Sequence, residues 1–216
     1  MSMLKAALIF TPLALSLVAC GAPPGPVNEP KATVRVEAIQ VGEFFGGSSA
    51  TAWYIAGDAT YGVVATAGHV CQDGALYTLS DGNVALPLDP TYDHDEAETD
   101  DVCLLFTLTP GARVLPLAER PGAVGDQVEY YGYPAGLRAH YFGEVSDVNE
   151  DGSLVASIPT WYGSSGSALT RDGAVVGMLS TGVPDFGNLG TFTGLEALKA
   201  AKVAAEQWLV DQTVVD

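Results

Sequence analysis

The chain has 216 residues and is 48% hydrophobic, enough for one domain of ordinary size with a substantial core. Its 25 glycines and 13 prolines point to many turns, and so to a β-rich fold rather than a helical bundle. Nine basic against 26 acidic residues leave a net charge of −17, which argues against a nucleic-acid partner and against charge-driven binding to anionic lipid.

At the N-terminus Lys5 precedes an apolar run over 6–19, too short for a comfortable membrane span and of the length of a signal-peptide core. The run closes on Leu17-Val18-Ala19-Cys20-Gly21, which resembles the lipobox of bacterial lipoproteins. That resemblance implies a signal peptide over 1–20, cleavage before Cys20 and a lipid on Cys20. The protein would then be exported and held on a membrane facing the periplasm or the cell exterior. An ordinary secretory signal with a chance cysteine is the alternative. Residues 21–32 are rich in Pro and Gly and read as an extended tether of about 3 Å per residue.

From residue 33 the apolar pattern is short and strand-like. Strands are predicted over 33–41, 50–56, 62–66, 75–79 and 101–108, then over 127–133, 140–146, 153–158, 167–170 and 174–180. Asp81-Gly82, Asp151-Gly152 and Asp172-Gly173 supply the tolerance of positive φ that tight hairpins need. Short connections between so many strands indicate an all-β barrel or sandwich, and the Pro/Gly-rich stretch 110–125 divides the strands into two groups. The end changes character. Thr193-Gly194-Leu195-Glu196 reads as a capping box, and Leu195, Leu198, Ala205, Trp208 and Leu209 recur at helical spacing, which predicts a docked helix over 194–216.

Three segments carry residues of catalytic type. Val63-Val64-Ala65-Thr66-Ala67-Gly68-His69 runs a β-branched strand into small residues and then a histidine. Asp101 stands immediately before the apolar run Val102–Leu105, where a buried carboxylate could orient an imidazole. Gly163-Ser164-Ser165-Gly166-Ser167-Ala168 puts serines in a glycine-flanked turn, which exposes a hydroxyl and lets a carbonyl approach main-chain N–H groups. Asp100 competes with Asp101 for the carboxylate role. His94 and His140 lack the strand-end context and read as surface or loop residues.

The three segments look like the Thr-Ala-Ala-His, Asp-Ile-Ala-Leu and Gly-Asn-Ser-Gly-Gly-Pro motifs of trypsin-like serine proteases. Gly132-Tyr133-Pro134-Ala135-Gly136 resembles the Gly-Tyr-Pro-x-Gly segment of bacterial members, and Val176–Gly182 resembles the strand lining their specificity pocket. The resemblance covers about 33–193 and implies two perpendicular six-stranded β-barrels, an N-barrel over about 33–115 and a C-barrel over about 120–193. It implies Ser165 as nucleophile, His69 as general base and then acid, Asp101 as orienting carboxylate, and the N–H groups of Gly163 and Ser165 as the oxyanion hole. A neutral imidazole is needed to take the serine proton, so activity would rise with pH through about 6–7.

The chain departs from the family pattern in Gly68, where alanine is usual, and in Ser167-Ala168 after the nucleophile. Glutamate-specific members place a histidine where this chain has Leu179. The implied substrate pocket, formed by Pro159, Thr160, Leu179, Ser180 and Gly182, is therefore apolar and disfavours Lys or Arg.

Cys71 lies two residues after His69 and Cys103 two residues after Asp101. If the histidine and aspartate meet, the two thiols come close enough for a disulfide in an oxidising compartment; two buried free thiols are the alternative. The acidic run 93–100 reads as a solvated loop, with Ca²⁺ binding the weaker reading. No metal and no cofactor is expected. A peptide substrate and a monomer are. Competing with an active endopeptidase are a non-catalytic protein-binding module on the same fold and a precursor that matures by self-cleavage.

Overall fold

Twelve strands close into two barrels in the computed structural model, which describes residues 32–39, 49–71, 75–89, 101–183 and 187–213. The predicted signal peptide, Cys20, nearly all of the tether, the acidic run with His94 and Asp100, and the last residues of the chain lie outside the described residues.

The first barrel holds β1 (Thr33–Ile39), β2 (Ser49–Gly57), β3 (Gly62–Thr66), β4 (Leu76–Leu79), β5 (Val84–Pro87) and β6 (Cys103–Thr107). They run in the closed order β1-β2-β3-β6-β5-β4, antiparallel throughout. The second holds β7 (Gln127–Gly132), β8 (Ala139–Val148), β9 (Leu154–Ser157), β10 (Ala168–Arg171), β11 (Ala174–Gly182) and β12 (Leu189–Gly194), closed as β10-β11-β12-β9-β8-β7. Closure pairs every strand on both edges and leaves none open to association.

The burial pattern explains the composition of the strands. β6 alternates buried and half-buried residues, as a strand with one face on a core should. β3 is buried at all five positions, and β2 at seven of nine. Ala52, Tyr54 and Val64 face the interior of the first barrel, whereas Trp53, Ile55, Val63 and Ala65 join a second core outside it. That outer core is covered by the helix α1 (Leu195–Thr213) through Leu198, Ala201, Ala205 and Leu209. Trp208 packs against Phe106 with ring centroids 4.7 Å apart. Near-continuous apolar runs in β2 and β3 are thus strands buried on both faces.

Two strands escaped the sequence reading, which placed about ten. β5 has only four residues, ends in proline and buries one side chain fully, so it carries almost no periodicity. β12 reads Leu-Gly-Thr-Phe-Thr-Gly, and the capping-box pattern assigns its last two residues to the helix; Thr193 and Gly194 in fact pair with Met178 and Gly177 of β11, and α1 begins at Leu195.

Candidate functional site

His69 lies in a 3-10 turn, Gly68–Val70, that follows β3 directly. Asp101 stands two residues before β6, the antiparallel neighbour of β3, and the register Thr66↔Cys103 brings the two ends together. Among the described residues the carboxylate then faces three donors. His69 Nδ1 is 3.0 Å from Oδ2 and 3.2 Å from Oδ1, and the His69 backbone N–H donates to Oδ1 at 2.8 Å. The third comes from the Ser180 hydroxyl, which donates to Oδ2 from β11. Ser180, expected as a wall of the substrate pocket, thereby reaches across from the second barrel to the carboxylate of the first.

Burial alone would raise the Asp101 pKa, but the hydrogen bonds from His69 and Ser180 outweigh it and hold the group at about 2, below its ordinary 3.8. A depressed carboxylate stabilises the fold above its unfolded-state value and loses that contribution as pH falls through the folded-state value. Here the contribution is about 2 kcal/mol, present above pH 4 and lost toward pH 2. Asp101 is therefore ionised throughout the range in which His69 could act as a base.

A disulfide joins Cys71 to Cys103, with Cα atoms 6.3 Å apart. It flanks the His69–Asp101 pair on both chain segments, and so holds base and carboxylate together as well as closing the barrel. Such a link contributes about 2–4 kcal/mol, chiefly by restricting the unfolded chain.

The turn 163–167 is packed on the same corner. Gly163 and Gly166 have φ of +92° and +83°, a left-handed backbone that a side chain would strain. Both are also short of space. A Cβ on Gly166 would lie 2.1 Å from the Thr51 carbonyl oxygen and 3.0 Å from the Ala67 nitrogen; one on Gly163 would lie 2.6 Å from the Tyr133 oxygen. The segment carrying Ser165 is thus pressed against Thr66–Ala67, two residues from His69. Ser165 itself is half-buried.

Backbone bonds in the turn use the N–H groups of Ser164, Gly166 and Ser167, which donate to Trp161, Leu179 and Ser164. Among the described residues those of Gly163 and Ser165 take no part in such bonds. The Gly163 and Ser165 carbonyls are both bonded to Thr51. Thr51 N–H donates to the Ser165 oxygen at 2.9 Å, and the Thr51 hydroxyl donates to the Gly163 oxygen at 2.9 Å while accepting from Tyr133 N–H. Thr51 thus ties the turn to β2 through both carbonyls. Thr51, fully buried, was not singled out from sequence; its only signal is a hydroxyl in the run of small residues 49–52.

Tyr130 was also missed. Its phenol, pushed up by burial and so kept protonated, donates to the Pro159 oxygen at 2.5 Å and lies 3.4 Å from Ser164 Oγ. Thr160 is buried, and its hydroxyl donates to the Leu189 carbonyl at 3.0 Å. Leu179 lies in the core of the second barrel, with its backbone bonded to Gly166 and Ser167. His140 stands apart on β8, stacked on Tyr131 and 2.7 Å from Glu129. Among the described residues no group of three His, Cys, Asp or Glu side chains could hold a metal ion.

The family model described as a trypsin-like peptidase domain matches residues 50–178, which takes in His69, Asp101 and Ser165. No curated protein sequence matches the chain. Among solved structures, the serine endoprotease from Yersinia pestis superposes with a TM-score of 0.66 at 20% identity, over 85% of this chain and 64% of that one. The chain therefore spans less than two thirds of that protein. A protease from M. tuberculosis, in its active form, superposes with a TM-score of 0.64 at 19% identity, over 81% of this chain and 80% of that one. At such identities the likeness is one of fold.

Proposed function

We propose, from the premise that the chain belongs to the trypsin-like peptidase family of serine proteases, that it hydrolyses peptide bonds with Ser165 as nucleophile. The observation that carries the reading is the 3.0 Å contact of His69 Nδ1 with the ionised Asp101, on the corner against which the Ser165 turn packs. The carboxylate holds the Nδ1–H tautomer, so Nε2 carries the lone pair that acts as base. Ser165 Oγ attacks the substrate carbonyl as Nε2 takes its proton, and the N–H groups of Gly163 and Ser165 receive the developing oxyanion. His69 then protonates the leaving amine, and an acyl group remains on Ser165. Water, deprotonated by His69, releases the acid. Each oxyanion donor of this type is worth about 3–4 kcal/mol to the transition state.

The test is a fluorophosphonate probe on protein beginning at residue 21. The unmutated protein is expected to label and Ser165→Ala to remain blank. Equal labelling of both would remove Ser165 as nucleophile, and a folded but unlabelled parent would leave the binding-module reading.

The same proposal places the domain outside the cytoplasm, anchored by a lipid on Cys20 and held off the membrane by residues 21–32. Its support is the Leu-Val-Ala-Cys pattern closing an apolar run. Metabolic labelling with palmitate in a bacterial host should mark the full chain and vanish in Cys20→Ala. Undiminished labelling of that variant would refute the anchor.

A further inference from the structure

We infer that Thr160 closes the substrate slot beside Ser165, so that the enzyme accepts only a small, uncharged side chain immediately before the scissile bond. The inference rests on the peptidase reading above and names its substrate class.

Three segments surround the slot. Residues 159–162 run directly into Gly163–Ser165. The end of β11 follows Leu179, whose backbone is bonded to Gly166 and Ser167. The start of β12 pairs Gly190 with Gly182 of β11. Two paired glycines put no side chain of their own into the space between these walls.

Thr160 occupies that space. A Cβ on Gly182 would lie 2.8 Å from Thr160 Oγ1, and one on Gly190 would lie 2.7 Å from Thr160 Cγ2. The same Gly190 position is 3.0 Å from Leu179 Cδ1 and 3.1 Å from Phe192 Cε2. One threonine thus touches both glycines. Neither glycine could carry a side chain without displacing it, so the glycines make room for Thr160 rather than for substrate.

Its rotamer is held at both ends. The Thr160 hydroxyl donates to the Leu189 carbonyl at 3.0 Å, and its N–H donates to the Gly187 carbonyl at 3.0 Å. With 7% of its surface exposed, the side chain has little space into which to swing away. Among the described residues Pro159, Thr160 and the two glycines border the slot, and none of these carries a charge to offset the desolvation of a substrate Lys, Arg or Glu. A shallow neutral recess fits alanine or valine.

The experiment uses peptidyl diphenyl phosphonates that differ only in the residue borne by the phosphonate: Ala, Val, Leu, Phe, Arg and Glu. These traps phosphonylate Ser165 with loss of phenol and report the slot through the rate of labelling, with a generic fluorophosphonate in parallel to count competent Ser165. Expected are Ala and Val rates at least about 100-fold above Phe, Arg and Glu, since a methylene that a pocket cannot hold changes selectivity about 10–200-fold. Thr160→Gly should raise the Phe-to-Ala ratio by about tenfold or more. Thr160→Ser, which keeps the bond to Leu189 and removes only the methyl, should raise Leu and leave Phe poor. Fastest labelling by Phe, Arg or Glu in the parent, or an unchanged ratio in both variants, overturns the role of Thr160. Loss of generic labelling in the parent overturns instead the peptidase reading, and this inference with it.

Discussion

Replacing His69 by alanine is expected to lower kcat by about 10⁶-fold on a peptide substrate, as loss of the base in such a triad removes nearly all of the chemical step. Asp101→Asn should cost less, about 10⁴-fold. The reason for the difference lies in the contacts. Asp101 accepts from both Nδ1 and the backbone N–H of His69 and from the Ser180 hydroxyl, so an amide in its place must turn its NH₂ toward at least one donor. The imidazole would then be held in the wrong tautomer while remaining in position. The acid limb should change as well. Asp101 is ionised down to about pH 2, and Asp101→Asn removes a contribution of about 2 kcal/mol that the parent loses only between pH 4 and pH 2. Stability of parent and variant should therefore differ at pH 7 and converge near pH 2. Steady-state kinetics and urea unfolding at the two pH values measure both effects. If His69→Ala keeps a tenth of the parent's kcat, His69 is not the base.

Gly166→Ala should be the most damaging change of a single methyl. An alanine at φ +83° is strained by about 1 kcal/mol in the left-handed region. Its Cβ would also overlap the Thr51 carbonyl oxygen at 2.1 Å and crowd Thr66 Oγ1 at 2.5 Å. Thr51 and Thr66 belong to β2 and β3, whose ladders cannot retreat without opening the first barrel. The turn must move instead, and with it the N–H of Ser165. We expect a loss of about 3 kcal/mol in unfolding free energy and of about 10²–10³-fold in labelling rate. Gly173→Ala is the control. It has φ +79° but nothing within 4 Å of the new Cβ, so it should lose only the strain of about 1 kcal/mol. Equal destabilisation by the two substitutions, read from denaturant midpoints, would show that crowding at Gly166 has no part in the effect.

The contrast between these two glycines marks where the sequence was legible. Both stand in Gly/Ser- or Asp/Gly-rich turns, and their need for positive φ could be read from those turns. That Gly166 is wedged between two barrels and Gly173 stands open could not, because Thr51 is 115 positions earlier in the chain. Ser180 shows the same limit. Its place on a strand next to the pocket was legible, but its hydroxyl reaches Asp101, 79 residues away, rather than substrate.

By itself the sequence determined the family, the strand-rich class and the docked helix, and it named His69, Asp101 and Ser165, the trio on which the proposed function rests. Those features rest on local chemistry: a strand running into small residues before a histidine, an aspartate heading an apolar strand, glycines around a serine, apolar residues at helical spacing. Strands without a strong period, β5 and β12, exist only because barrel closure gives their edges partners. The tertiary structure alone decided how the turn is held and where Thr160 sits. Both depend on close packing between segments far apart in sequence, where Thr51 meets Gly163 and Thr160 lies between Gly182 and Gly190. Steric contact of that kind leaves no pattern along the chain.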